Sequence, residues 1–447
     1  MLFKSVIAAA LAFTAATAQN MTNNGTMSGN SSSMGNSSSM GNSSSSSNSS
    51  LSGQQAQYAQ GLIQALQANN LTTLASLAEQ NAQALLPMLM NGNKTVFAPT
   101  NEAFAQLPSN VSSNATYVAE LLQYHIYYGD VYNVSGNRNY SMANATSHKI
   151  YRSMLNDTSL VTLPGNQSQV GVFAMASDMM NSSVSMNSSM MMNGSSSMNS
   201  SSSNNSITWV GPIENITSVA QTEYENLLVY VVPQVLNIPQ PLQQTAQEAN
   251  LTSLYGALTN YAPGAINEIE NIRGVTLFAP VNSAFANVSS VLGSLNQTQI
   301  QDVLLNHVVN GTVVYSTEIT DSSRAISAAG EPLTFRVGPN GTYVSSGNST
   351  AQIIRADIPI ANGVVHLISD VLANTMANDA AAASAASSYY SVGRTATGVP
   401  TGAIGASTTG GSGSAPVGGA GGSSSAGKVG VSAAAGALAL VGLMVGA

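Results

Sequence analysis

The sequence predicts an α+β fold built twice in tandem and flanked by disordered Ser/Asn/Met-rich and Gly/Ser/Ala-rich segments. Three observations carry this expectation. A set of three motifs occurs twice in the same order, helix-periodic and strand-like stretches mix without regular alternation, and small polar residues dominate both ends.

Composition narrows the function classes first. Charged residues make up 7% of the 447, against about 25% in an ordinary soluble domain. The formal charge is -8 and no basic cluster occurs, so no surface can neutralise a run of phosphates and nucleic acid is excluded as a partner. Cysteine is absent, which removes disulfides, thiol nucleophiles and thiolate metal sites.

The first motif, Thr95-Val-Phe-Ala-Pro-Thr-Asn-Glu-Ala-Phe104, recurs as Thr276-Leu-Phe-Ala-Pro-Val-Asn-Ser-Ala-Phe285. Its β-favouring start reads as a short strand stopped by Pro99 or Pro280, with Asn101 or Asn282 placed to cap a following helix. In the second motif Val118, Leu121, Leu122 and His125 fall at i, i+3, i+4 and i+7, as do Ile300, Val303, Leu304 and His307. That spacing puts both histidines on the buried stripe of a helix, which Gly129 or Gly311 is expected to end before a strand opens at Val131 or Val313. The third motif, Asn226 to Leu236 and again Asn362 to Leu372, is a continuous apolar run of strand length and reads as a buried closing strand. The first copy is longer between its second and third motifs, and the Met tract at 179–206 accounts for most of the excess as a loop insertion.

This ordered and duplicated triplet resembles a tandem pair of fasciclin domains, a family of extracellular adhesion proteins. The resemblance implies two wedge-shaped β-sandwiches with packed helices. It also implies an adhesion determinant at Tyr124-His125, the position of the family's Tyr-His motif, with His307 as the weaker equivalent because Asn306 precedes it. The closing motif departs from the family pattern at Ser369, and at Tyr230 where the family has His. The lack of cysteine and of proline-rich tracts points to the fungal branch of that family.

The ends read as processing signals. Lys4, the apolar stretch Val6 to Phe13 and Ala16-Thr17-Ala18 form a secretory signal peptide over 1–18, followed by a low-complexity arm at 19–55. The first domain is expected at 56–237, with a disordered insertion at 177–206, and the second at 238–374. A Ser/Gly/Ala-rich stalk at 375–428 precedes an apolar tail at 429–447, the pattern for glycosylphosphatidylinositol (GPI) attachment. Gly422, Ser423, Ser424 and Ser425 are the candidate attachment residues. A transmembrane reading is disfavoured because no basic residue follows the tail and Ala and Gly dominate it.

About 27 Asn-x-Ser/Thr sequons mark a glycoprotein, among them Asn70, Asn93, Asn110, Asn114, Asn133, Asn215, Asn250, Asn287, Asn310 and Asn340. Two tracts, 21–50 and 179–206, hold 11 of the 19 methionines. Exposed thioethers such as Met190, Met191 and Met192 suit Cu(I), which makes an extracellular copper-binding protein the alternative function. A slipped low-complexity repeat explains the same composition without any metal.

Enzyme chemistry finds no support in the sequence. The four histidines are His125, His148, His307 and His366; His125, His307 and His366 read as core residues and His148 as an exposed one. No nucleophile elbow, phosphate loop, dinucleotide fingerprint or zinc-protease motif occurs. Glu268 and Glu270 read as a solvated face rather than a catalytic pair. The expectation is a non-enzyme without cofactor, displayed at the cell surface for adhesion or cell-wall interaction. Its partners would be surface, wall or matrix proteins or polysaccharides, with weak homotypic association and a lipid-anchored membrane besides. A structural wall mannoprotein without a specific ligand is a further alternative.

Overall fold

The computed structural model describes residues 53–132, 148–176 and 206–395. In the first domain three helices, α1 (Gly53–Ala68), α2 (Thr72–Gln80) and α3 (Ala82–Leu89), lead into strand β1 (Lys94–Pro99). Helices α4 (Asn101–Ala105), α5 (Ser109–Ser112) and α6 (Ala115–Tyr124) follow, then strands β2 (Ile126–Tyr128), β3 (Lys149–Arg152) and β4 (Val170–Met175). Strands β5 (Ile207–Val210), β6 (Asn215–Thr217), β7 (Ala220–Tyr224) and β8 (Leu227–Val232) complete two four-stranded sheets, ordered β2-β1-β8-β7 and β3-β4-β5-β6. The closing strand β8 runs parallel to β1, with Phe97 opposite Tyr230. Phe97, Tyr127, Phe173, Trp209 and Tyr230 fill the space between the sheets.

The second domain repeats the plan: α7 (Leu242–Glu248), α8 (Thr252–Tyr261), α9 (Ala265–Asn271), β9 (Val275–Pro280), α10 (Asn282–Leu292), α11 (Gln297–Leu305) and β10 (Val308–Asn310). Strands β11 (Arg324–Ile326), β12 (Pro332–Gly338), β13 (Gly341–Ser346), β14 (Ser349–Ile360) and β15 (Gly363–Ile368) join β9 and β10 in one seven-stranded sheet, β10-β9-β15-β14-β13-β12-β11. Register shifts at Arg355 and Ile358 break the long strand β14, which bends there as bulged strands do. Phe278 and Val309 from one end of the sheet thereby pack with Leu333, Phe335 and Val344 from the other.

The strand and helix expectations hold at both copies of the first and third motifs, with three local differences. Asn101 does not cap its own helix; Thr100 Oγ1 does, accepting from Ala103 N at 3.3 Å. Asn101 Oδ1 instead accepts from Thr73 N at 2.9 Å and Nδ2 donates to Asn70 O at 2.8 Å, so it caps α2 from a distant segment. Asn282 does the same for α8 through Ser253 N and Asn250 O. The residue at each helix's own cap position, Leu71 or Leu251, offers no polar side chain, and the borrowed asparagine satisfies the orphaned N–H. Second, the helices end at Tyr124 and Leu305, earlier than expected, and a short strand intervenes before Gly129 or Gly311 turns the chain at φ 76° and 88°. Val131 and Val313 lie outside the strands. Third, Asp379–Thr395, expected as flexible stalk, is helix α12. Tyr389 accepts from Ile326 N at 3.1 Å and Tyr390 donates to Asn310 Oδ1 at 3.1 Å, which tie it to the second domain.

The two domains share a small core of their own. On β4, Phe173 points into the first domain while Val170, Val172 and Ala174 point out of it. These three, with Ile150 and Val210, pack against Val313, Tyr315 and Val364 of the second domain. Gln169 Nε2 donates to Ile360 O at 3.1 Å, Thr162 N to Ala361 O at 2.9 Å, and Arg273 Nη1 to Asn166 Oδ1 at 2.7 Å. A sheet covered on both faces reads as a continuous apolar run, which is how β4 and β5 read.

Candidate functional site

Tyr124, His125 and His307, expected as adhesion determinants, lie inside the protein, 0%, 3% and 2% exposed. Each histidine closes a clasp. His125 Nδ1 donates to Leu121 O at 2.7 Å and Nε2 accepts from Leu236 N at 2.9 Å. His307 makes the same pair with Val303 O at 2.7 Å and Leu372 N at 2.9 Å. The ring thus pins the segment after the closing strand to the helix before it, and both nitrogens are committed to the backbone. Burial pushes each imidazole down to about 4, against the raising effect of the carbonyl it faces. Tyr124 donates to Val170 O at 3.1 Å. As placed here, these three side chains are buried and bonded within the fold and present no surface to a partner.

His366, expected in the core, is 0% exposed and stacks on Phe278 at 5.4 Å. Its Nε2 donates to Val314 O at 2.8 Å. In the first domain Tyr230 occupies this place and donates its hydroxyl to Val131 O at 3.3 Å. Tyr and His exchange here because each delivers one donor to an equivalent carbonyl: Val131 N and Val314 N both donate to the strand threonines Thr95 and Thr276 at 2.8 Å.

The densest group of titratable side chains sits where the domains meet. Asp357, 1% exposed and at φ 61°, occupies the bulge of β14. Ser316 donates its N–H to Asp357 Oδ1 at 2.8 Å and its hydroxyl to Oδ2. Asp357 N donates to His366 Nδ1 at 3.2 Å. His148, expected to be exposed, is half-buried and brings Nδ1 to 3.7 Å from Asp357 Oδ2 across the domain boundary, beyond hydrogen-bond distance. Burial pushes the Asp357 carboxyl up, but His148, His366 and Ser316 outweigh it and leave it below the ordinary aspartate value. Glu318, which accepts from Tyr315 N at 3.3 Å, is pushed up to about 7 by burial and by Asp357, against Tyr315 N–H and Arg152 of the first domain. Sequence reasoning passed over Asp357, Glu318 and Arg152. The available signal was Asp357 itself, an acid immediately before the mostly apolar stretch Ile358 to Ile368.

This cluster does not form a serine–histidine pair. The Ser316 hydroxyl donates to the Asp357 carboxylate and His366 faces backbone on both nitrogens, so no imidazole reaches Ser316 as in a serine–histidine pair. Glu268 is exposed, whereas Glu270 accepts from Gln243 N at 2.8 Å and caps α7. Among the described residues no three His, Cys, Asp or Glu side chains come together as a metal site.

The sequons divide by surroundings. Asn70, Asn93, Asn110, Asn215, Asn250, Asn287 and Asn340 are exposed. Asn114 is half-buried and caps α6 by accepting from Tyr117 N at 3.1 Å. Asn310 is half-buried beneath α12, where Tyr390 donates to its Oδ1. Asn133, Met190, Met191, Met192, Gly422, Ser423, Ser424 and Ser425 lie outside the described residues, as do the signal peptide at 1–18 and the tail at 429–447.

The comparisons with known proteins bear on this architecture directly. A fasciclin domain profile matches residues 69–239 and 249–374, more than half of the chain and in two copies. The chain belongs to the fasciclin domain family. Its first fasciclin domain is the one with two four-stranded sheets, and its second is the one with the bulged seven-stranded sheet. A fasciclin-like arabinogalactan protein of Arthroderma benhamiae is 31% identical over 34% of this chain. One of Cercospora beticola is 24% identical over 34% of the chain. The match spans 34% and 40% of the length of those two relatives. A solved fasciclin domain pair from the insect cell adhesion molecule fasciclin I aligns over 68% of this chain and 97% of its own, at 16% identity and a TM-score of 0.31. Fasciclin-like proteins serve adhesion and cell-surface roles, and the α+β pair expected from the motifs is the fold of this family.

Proposed function

We propose that this fasciclin protein is secreted, glycosylated and held on the outer leaflet by a GPI anchor, where its two domains mediate adhesion or organise the cell wall. The observation that carries the reading is the meeting of features in one chain: two fasciclin domains, a signal-peptide pattern ending at Ala18, and a small-residue spacer before an apolar tail. Seven exposed sequons on the folded part support a glycosylated surface. The partner class is a surface, wall or matrix protein or polysaccharide.

Treatment of intact cells with phosphatidylinositol-specific phospholipase C tests the anchor. Release of a glycosylated form that supports cell attachment is the expected result. Retention, when a control GPI protein on the same cells is released, overturns the anchor. Release without any attachment activity overturns adhesion and leaves the structural wall role.

A further inference from the structure

The second domain contains a cavity of about 390 Å³ between α8, α10 and α11. Leu254, Phe285, Ile300, Val303 and Leu304 supply its apolar walls, and no Lys, Arg, Asp or Glu lines it. His307 borders it, but both ring nitrogens are already bonded to Val303 O and Leu372 N. Two polar residues, Asn260 and the 44% exposed Tyr261, line it at the C-terminal end of α8.

Comparing the two copies shows how the space arises. The helix sequences Asn70-Leu-Thr-Thr-Leu74 and Asn250-Leu-Thr-Ser-Leu254 align, which sets Ala257 opposite Leu77 and Gly256 opposite Ser76. Leu77 packs against the core of the first domain. Ala257 lacks three of its carbons; Val303 lacks one relative to Leu121 and Ile300 adds one relative to Val118, so Ala257 accounts for the difference, while Pro280, Phe285, Leu254, Leu304 and His307 match their first-domain counterparts. A Cβ on Gly256 would meet nothing within 4 Å.

We infer that this cavity binds one neutral, largely apolar molecule of about fifteen carbon atoms that carries a hydroxyl or carbonyl group. The size follows from volume: an apolar cavity of about 150 Å³ takes one benzene, so 390 Å³ takes roughly fifteen carbons by the same scale. The neutral character follows from the lining, which offers no countercharge to a carboxylate or ammonium that would be desolvated on entry. The exposed Asn260 and Tyr261 side chains at the C-terminal end of α8 suit one polar group of the ligand.

The test uses 1-aminoanthracene, a neutral fluorescent probe of fitting size, with the secreted protein. Saturable binding of one equivalent is expected, displaced by the fifteen-carbon alcohol farnesol and not by its acid, farnesoate. Ala257→Leu, which restores the first-domain residue, and Gly256→Leu, which fills open space and replaces a helix-interior glycine, are each expected to weaken binding about tenfold or more. Circular dichroism melts, with the near-ultraviolet tyrosine signal, confirm that the variants fold. Absence of saturable binding overturns the site, as does binding untouched in whichever variant folds. Equal displacement by farnesoate overturns the neutral ligand class.

Discussion

Acidification should destabilise the first fasciclin domain through one proton. His125 titrates near 4 in the fold against 6.5 for a free imidazole, with burial the cause. The folded state therefore binds fewer protons than the unfolded chain between those values. Stability is complete above 6.5 and falls as the pH drops through the window. At about 1.4 kcal/mol per unit the full loss is about 3 kcal/mol, a large share of what a domain holds. Glu120 works in the opposite direction: burial and the neighbouring Asp157 raise its carboxyl, so its contribution improves as the pH falls. Trp209 is the single tryptophan and lies in the first core, so its emission follows this domain alone. Urea unfolding from pH 7.5 to 4.5 read by Trp209 is expected to show a midpoint that falls with pH, more steeply in Glu120→Gln. A midpoint that stays level or rises below pH 6.5 in Glu120→Gln would refute the assignment of His125 as a neutral clasp.

Two further outcomes follow from the junction and from α12. Glu318, at about 7 in the fold against 4.5 for a free glutamate, penalises the folded state above pH 7 and ceases to do so below 4.5. Glu318→Gln should therefore be stabilising relative to the native chain by up to about 3 kcal/mol at pH 8, an advantage that vanishes toward pH 4.5 in paired thermal melts. A glycan on Asn310 would occupy the place of α12, whereas Asn340 is open. Asn310→Gln is expected to leave the mass of the secreted protein unchanged apart from the substitution, and Asn340→Gln to remove one glycan, as read by intact-protein mass spectrometry.

Much of this fold was legible because its signals are local. The strands at Thr95 and Thr276, the apolar stripes ending at His125 and His307, and the closing strands each announce themselves within ten or so residues. What escaped was set by partners far away in sequence. Asn101 and Asn282 sit where a local cap belongs, yet their side chains serve α2 and α8, whose cap positions hold leucines. His148 lies in a polar stretch, and only the second domain supplies its partner Asp357. Helix α12 was hidden by composition: Ala380 to Ala386 belongs to a small-residue stretch, but alanine is also the best helix former, and Tyr389 and Tyr390 are the residues that dock it. The cavity appears only when the copies are set side by side, since Ala257 is unremarkable until it stands opposite Leu77.

If the pair is adhesive as proposed, the junction sets how its two domains would meet a partner. A flexible tandem would let each domain engage a partner independently, and two weak contacts would gain only what a loose linker allows. Here Ile150, Val170 and Val172 of the first domain share a dry cluster with Tyr315 and Val364 of the second. Gln169 and Thr162 hydrogen-bond the turn between β14 and β15. Exposing that apolar surface would cost about 25 cal/mol for each Å² uncovered, and the buried Asp357 would lose the His148 contact as well. Contacts made by both domains would therefore be presented at one fixed spacing, with their ordering entropy largely spent when the chain folds. Substitutions that open the junction, such as Val172→Asp, should weaken attachment without touching any residue that meets the partner.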